Sequence, residues 1–256
     1  MQRNVDINEI SDGKKYTIND MAKIGCNDCS GCSKCCENMK GLITLDPYDI
    51  YRILDGLNQL IVCESPLVSN SVKAFLEGKK QVTFVDIYGE FIELSVDRFI
   101  IIPTLKMNDK TGKCAFLNEN DRCSIHDYRS GICRLFPMGR LYEDGGFYYF
   151  LQKDECPYPS KTKVKLKKWL DTKDIVKYEK FVSDWHYFIA DIQKYVGDIL
   201  ANESQNNNAE NNPSESTDEI NQINSALLQI FYKTPYETDF YDEVYLRLEK
   251  VRNLLR

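Results

Sequence analysis

The chain has 256 residues, a net charge of −6 and ten cysteines. A chain of this length can bury a core without disulfides to compensate for small size, so disulfide stapling is a poor explanation for the cysteines. The acidic balance gives no long-range attraction to nucleic acid or anionic lipid, and we expect neither a nucleic-acid partner nor a membrane partner.

The N-terminal stretch MQRNVDINEISDGKKYTIND has no apolar segment of the kind that a secretory signal carries, and no later stretch approaches the length of a membrane span. We therefore expect a cytoplasmic protein. In that reducing compartment disulfides are rare, and clustered thiols more often bind metal or carry out redox chemistry.

Half of the cysteines lie in one short run, CNDCSGCSKCC, at residues 26–36. The C-x2-C spacing repeats within it through Cys26, Cys29, Cys32 and Cys35. Such a turn brings two sulfurs to one metal centre, and thiolates select zinc or iron–sulfur clusters over hard cations. Cys36 is harder to place, because the side chains of consecutive residues diverge in helices and strands alike. The adjacent pair Cys35 and Cys36 therefore indicates either two neighbouring metal sites or one cluster with a spare thiol beside it.

Two patterns follow the cysteine run. Asp46 before Pro47 predicts a helix start, with an N-cap and a proline at the first helical position, and an apolar stripe continues for about three turns. Residues 82–102 are rich in β-branched and aromatic types and break at residues 88–89, which predicts paired strands on either side of that break.

Farther along, the pattern changes from strand to helix. Residues 140–151 place Asp-Gly-Gly between two aromatic runs and predict a β-hairpin. Helical spacing then appears in a long stripe of Tyr178, Val182, Trp185, Ile189, Ile192, Val196 and Ile199. Residues 201–219 have almost no apolar side chains and predict a disordered tether. After a break at Pro235, a last helix is predicted by Tyr241, Val244, Leu248, Val251 and Leu255.

These elements predict an α+β fold. We expect a small cysteine-rich metal-binding domain with β-hairpins at residues 20–160. A helical extension at 161–200, the tether at 201–219 and C-terminal helices at 220–256 would follow it. The last helices are expected to fold back on the domain beyond the tether.

A second group of cysteines lies downstream, at Cys114, Cys123, Cys133 and Cys156. Each alone could be a buried core cysteine. Together they supply the distant ligands that a cluster held by only one loop would lack. His126 follows Cys123 closely and is either a ligand, a hydrogen-bond partner of a ligand, or a plain packed or exposed histidine.

The pattern resembles the YkgJ-like cysteine-cluster family, also called the CxxCxxCC zinc- or iron-chelating domain, whose relatives include flagellin lysine-N-methylases. The resemblance is carried by CSGCSKCC at 29–36, by LDPYDI at 45–50, and by C-x8-C-x9-CRLFP at 114–137. The eight cysteines usual in the family match Cys29, Cys32, Cys35, Cys36, Cys114, Cys123, Cys133 and Cys156. One departure is Ser130, where the family commonly has proline.

The resemblance implies that these eight cysteines bind a [4Fe-4S] cluster, with zinc as the alternative. It further implies a lysine N-methylase that uses S-adenosylmethionine on a protein substrate such as flagellin. No glycine-rich turn typical of a nucleotide fold is visible, so methyl transfer rests on the analogy alone. Two other functions stay open: a non-catalytic interaction module stabilised by zinc, and a metal- or redox-handling protein with Cys26 and Cys63 as exchangeable ligands.

Arg129 and Arg134 flank Cys133 and are the candidates for contact with the cofactor. Guanidinium groups would offset the negative charge of a thiolate-bound cluster, or would hold an anionic substrate. The alternative is that both pair with surface acids. His186 has no candidate metal partners near it in the predicted long helix, and we expect it to be structural or solvent-facing.

Overall fold

Helices and antiparallel strand pairs alternate along the chain in the computed structural model, which describes residues 6–27, 32–63, 65–205 and 214–254. Strand β1 (Met21–Gly25) pairs with β6 (Thr162–Lys165), β2 (Ile92–Asp97) with β3 (Ile100–Leu105), and β4 (Met138–Glu143) with β5 (Gly146–Leu151). The helices are α1 (Ile7–Ile10), α2 (Pro47–Val62), α3 (Asn70–Leu76), α4 (Phe84–Ile87), α5 (Gly131–Leu135), α6 (Leu166–Leu170), α7 (Ile175–Gln205), α8 (Ser214–Leu228) and α9 (Phe240–Leu254). The predicted α+β class is confirmed.

Helix α2 begins at the predicted place. The Asp46 carboxylate accepts a hydrogen bond from the Asp49 backbone N–H at 2.9 Å, and the Asp49 carboxylate accepts one from the Asp46 N–H at 3.3 Å. This capping box satisfies two backbone donors at the helix end, and Pro47 occupies the first turn. The apolar stripe of the helix faces the core through Ile50, Ile53 and Leu57.

The strand pairing predicted around residues 88–89 is wrong. The chain forms the short helix α4 before that point, because the Asp86 carboxylate accepts hydrogen bonds from the Thr83 N–H at 2.9 Å and from its hydroxyl at 2.6 Å. These local bonds favour a helical turn over the β propensity of the neighbouring residues. The hairpin lies farther on, between β2 and β3, and turns at Arg98 and Phe99, whose φ angles are +44° and +74°.

The predicted hairpin at 140–151 and the long helix are both confirmed. Strands β4 and β5 pair across a turn at Asp144 and Gly145, whose φ angles of +52° and +76° suit a tight hairpin. Helix α7 carries the predicted apolar stripe, of which every residue but Ile199 packs in the core, and extends beyond it to Gln205. Not even this helix has a stretch apolar enough to cross a bilayer, and neither has any other helix in the described ranges.

The segment predicted as a tether is helical at both described ends. Residues 201–205 continue α7, and residues 214–219 belong to α8. Residues 206–213, and Leu255 of the predicted last helix, lie outside the described residues.

The C-terminal helices share one apolar core with the cysteine-bearing part of the chain. The ring of Tyr48, at the start of α2, packs against Tyr178 of α7 and Phe240 of α9 with centroids 5.3 and 5.0 Å apart. The Tyr232 hydroxyl donates to the carbonyl oxygen of Leu45 at 3.2 Å. The helices therefore hold the beginning of α2, which in turn contacts the cysteine loops.

We expect His186 to make the stability depend on pH. Its ring stacks on Tyr142 with centroids 3.6 Å apart, and burial there lowers the pKa of His186 to about 4. Folding therefore disfavours the imidazolium, so this contribution to stability is complete above the unfolded pKa of about 6.5 and is lost as the pH falls toward 4.

The measurement is urea unfolding of the wild type and of His186→Phe at about pH 7.5 and about pH 5. The wild type should lose about 1 kcal/mol more than the variant between these conditions, after allowance for solvent screening of the half-buried ring. An equal loss in both proteins would contradict the assignment.

Candidate metal centre

Cysteine side chains from four separate segments line one cavity of about 70 Å³. They are Cys32, Cys35, Cys36, Cys114, Cys123 and Cys133. All six are free thiols rather than disulfide partners. The structure thus brings six of the eight predicted ligands to one place. Cys29 lies outside the described residues, and Cys156 does not line the cavity.

The first cysteine loop is held by a single 3-10 turn, Lys34–Cys36. The Cys36 N–H donates to the Ser33 carbonyl at 2.7 Å, and the Cys36 carbonyl accepts from the Cys114 N–H at 2.9 Å. This second bond ties the first loop to the segment after β3. Cys35 and Cys36 both line the cavity, with their Sγ atoms 4.0 Å apart, because the turn is neither an extended helix nor a strand.

The next two thiols are brought together by a compact loop. The Ser124 N–H donates to the Phe116 carbonyl at 2.7 Å, and Leu117 forms a β-bridge with Cys123. The Arg122 carbonyl accepts from the Asn118 N–H at 2.8 Å. These bonds fold the chain back on itself, so that Cys114 and Cys123 face the same cavity.

Helix α5 positions Cys133. The Ser130 side chain caps this helix and accepts from the Cys133 N–H at 3.4 Å. The Asp49 carboxylate, from α2, accepts from the Gly131 N–H at 2.6 Å. Glycine is required at 131, because a Cβ there would collide with the Tyr178 hydroxyl. One carboxylate thus connects α2 to the helix that carries a cavity thiol.

Arg134 does not reach the cavity, although the sequence suggested that it contacts the cofactor. Its side chain is 3% exposed, donates to the Thr172 hydroxyl at 2.6 Å, and lies over the Tyr178 ring at 5.2 Å. Burial raises the pKa of Asp49, while the positive charge of Arg134 opposes that rise. Arg134 therefore belongs to a buried charge network behind α5.

Arg129, the other arginine beside Cys133, lies at the cavity. It lines the cavity with Arg122 and the buried His126, and its Nε donates to the His126 carbonyl at 2.8 Å. The positive charge of Arg129 acts to lower the pKa of each of three cavity thiols, Cys35, Cys123 and Cys133. The same charge would stabilise an anionic metal–thiolate centre.

Burial is the main influence on the pKa of three cavity thiols. It raises the pKa of Cys114, that of Cys123 to about 12 and that of Cys133 to about 11. The pKa of Cys35 is raised by its hydrogen bond with Cys36 and then by burial. These four metal-free thiols are thus neutral at pH 7, and a metal that binds them as thiolates must displace protons.

The remaining described cysteines lie elsewhere. Cys26 and Cys156 are both buried. Burial is the main cause of the raised pKa of Cys156, and a negative charge on Cys26 would raise it further. Cys63 is exposed at the C-terminal cap of α2. None of the three lines the cavity.

Asp49 is the site residue that the sequence did not identify. Its position in the Asp-x-x-Asp pattern signals a capping box, which predicts a helix start and nothing more. Its second partner, Gly131, lies 82 positions away, and no local pattern connects the two. Arg122 was missed as well, because a single arginine in a polar loop carries no distinguishing signal.

Comparison with family models links this geometry to known proteins. The family model CxxCxxCC, described as "Putative zinc- or iron-chelating domain", matches residues 28–157, slightly more than half of the 256 residues. Comparisons with curated proteins and with solved structures gave no match. The matched range contains every cavity cysteine as well as the start of α2. The chain therefore belongs to the CxxCxxCC family of zinc- or iron-chelating domains.

Proposed function

We propose that the cavity binds a [4Fe-4S] cluster through Cys35, Cys114, Cys123 and Cys133. Such a cluster takes four cysteine thiolates. Each of these four thiols interacts electrostatically with at least two of the others, so they form one connected group. They come from four different segments, which agrees with a centre that joins distant parts of the chain.

The size of the cavity supports a cluster over a single zinc ion. Thiolates bound at about 2.3 Å around one tetrahedral zinc ion lie about 3.8 Å from one another. Among the described side chains, no three histidines, cysteines or acids converge closely enough to hold one metal ion. The thiols instead surround a cavity of about 70 Å³, which suits a multi-iron centre better than one ion.

The charges around the cavity also fit an anionic cluster. Arg129 and Arg122 lie at its wall, the lining carboxylate of Asp121 is paired with Lys113, and the other lining groups are mostly apolar, such as Met39, Leu105 and Phe136. Thiolates favour a soft metal centre, and the apolar side chains around them shield such a centre from water. The cationic side chains balance its negative charge. The cluster would supply electron-transfer or Lewis-acid chemistry, while the chain supplies its ligands and charge balance.

The first experiment is anaerobic purification, followed by absorption spectroscopy and analysis for iron, sulfide and zinc. We expect a brown protein with broad absorption at about 400 nm and with iron and acid-labile sulfide in equal amounts. A colourless protein that holds stoichiometric zinc would refute the cluster and favour the zinc-stabilised module.

The resemblance to flagellin lysine-N-methylases extends the proposal to enzymatic activity. In this extension the protein uses S-adenosylmethionine to modify a side chain of a protein substrate, such as flagellin. It rests on the shared cysteine and LDPYDI motifs. The described strands form only antiparallel pairs, so S-adenosylmethionine would not bind at the edge of a doubly wound parallel sheet. Calorimetry of the cluster-loaded protein with millimolar S-adenosylmethionine tests it, and the absence of heat would argue against a methylase.

A further inference from the structure

A second pocket, separate from the cysteine cavity, lies where the segment before β1 meets β5 and α7. Its volume is about 330 Å³, within the range of small-ligand sites. No residue lines both pockets. The walls of this pocket are largely aromatic, from Tyr16, Phe147, Tyr148 and Tyr149.

Two polar groups of the pocket have unused hydrogen-bonding capacity. Tyr149 is 1% exposed, and its hydroxyl makes no hydrogen bond of normal geometry to any described group. The half-buried Glu179 carboxylate lies next to this hydroxyl and accepts from it in a contact that falls short of normal hydrogen-bond geometry, and the positive charge of Arg140 also acts on Glu179. Glu179 forms no salt bridge among the described residues. A carboxylate and a buried hydroxyl are therefore available as acceptors at one end of an aromatic pocket.

Two other polar groups of the pocket, Lys180 and Tyr16, already have partners. Lys180 pairs with Asp184 at 2.6 Å and donates to the Tyr245 hydroxyl at 3.2 Å. The Tyr16 hydroxyl donates to the Asp12 carboxylate at 2.5 Å. Glu179 is thus the lining charge that a ligand could neutralise.

The aromatic walls suit a cation, because the faces of aromatic rings attract positive charge. The protein itself shows this attraction at two of the rings. The Lys15 ammonium lies 4.8 Å from the centroid of Tyr148, and the Arg140 guanidinium lies 5.6 Å from that of Phe147.

We propose that this pocket binds an alkylammonium group, with its charge on Glu179, a hydrogen bond to the Tyr149 hydroxyl, and its carbon chain against the aromatic rings. A primary ammonium has three donors, which matches a carboxylate together with a hydroxyl acceptor. The cation is either a free amine or the end of a side chain on a partner polypeptide. The inference does not depend on the proposed cluster, because none of its observations involves the cysteine cavity.

Calorimetry on the full chain tests the proposal, with butylammonium as the probe and butanol as the neutral probe of equal length. We expect saturable binding of butylammonium at millimolar concentration or below, and weaker binding of butanol. Glu179→Gln should weaken the binding of butylammonium at least about tenfold, because it removes a charged hydrogen-bond partner. Tyr149→Phe should weaken it less.

Asp191→Asn is the matched control, since it removes an exposed acid from the same helix that does not line the pocket. It should change the affinity less than about twofold. The same titration with a lysine whose α-amino and α-carboxyl groups are blocked separates the two origins of the cation. Tighter binding of this lysine than of butylammonium indicates a side chain on a polypeptide, and the reverse order indicates a free amine. Equal binding of butanol and butylammonium, unchanged affinity in Glu179→Gln, or no saturable binding of either amine would overturn the proposal.

Discussion

Cys133→Ala protein, purified without oxygen, should contain at most about a tenth of the iron found in the wild type. Loss of a group that merely orients a ligand already weakens metal binding about 10- to 100-fold, and loss of a ligand should cost more. No other thiol of α5 can take its place, because Cys133 is the only cysteine in that helix. Iron and sulfide analysis, together with absorbance at about 400 nm, measures the loss.

The chain offers a matched control in Cys63→Ala. Cys63 is exposed at the end of α2 and does not line the cavity, so this variant should keep the iron content of the wild type. Cys36→Ala gives a second comparison, because Cys36 lies at the cavity but outside the four proposed ligands. It should retain more iron than Cys35→Ala. If Cys63→Ala and Cys133→Ala lost equal amounts of iron, the cavity would not be the metal site.

Asp49→Ala should lower the free energy of unfolding by about 3–5 kcal/mol, the usual cost of leaving a buried charge without its partner. The Asp49 side chain accepts hydrogen bonds from the Gly131 and Asp46 backbones and faces Arg134. Without the carboxylate, the buried Arg134 keeps its charge and the Gly131 N–H loses its acceptor. Urea unfolding of the metal-free protein measures the change.

Asp55→Ala is the control on the same helix. Asp55 is exposed, and its replacement should change the free energy of unfolding by less than about 0.5 kcal/mol. The double variant Asp49→Ala/Arg134→Met should be less unstable than the sum of the single variants, because it removes the orphaned charge as well. A loss of unfolding free energy in Asp49→Ala no larger than in Asp55→Ala would show that the network contributes little.

Asp49→Ala should also hold less iron, since Asp49 anchors the helix that carries Cys133.

Elements set by short-range interactions could be predicted from the sequence. The Asp46 N-cap, the Asp144-Gly145 turn and the stripe of α7 each depend on residues within one or two turns of one another. Residues 82–102 were misread for a related reason. Their β propensity is real, but the Thr83 and Asp86 side chains make local bonds that favour a helical turn.

The positions of the arginines show the limit of local patterns. Arg129 and Arg134 stand on either side of Cys133 in the sequence, and local pattern predicts both as contacts of the cofactor. In the fold Arg129 lines the cavity, while Arg134 lies among Tyr48, Tyr178 and Thr172. Which way a side chain faces depends on what packs against its helix, and here the C-terminal helices decide it.

The sequence by itself determined the family and the α+β class, and it predicts thiols as the donor atoms, because thiol chemistry and cysteine spacing are properties of the chain alone. Only the tertiary structure decided that six of the ten cysteines share a cavity while Cys26, Cys63 and Cys156 do not line it. It also decided that Asp49 anchors α5 and that Glu179 lies in an aromatic pocket. These arrangements join residues far apart in the chain, and such contacts form only when burial of a common core brings the segments together.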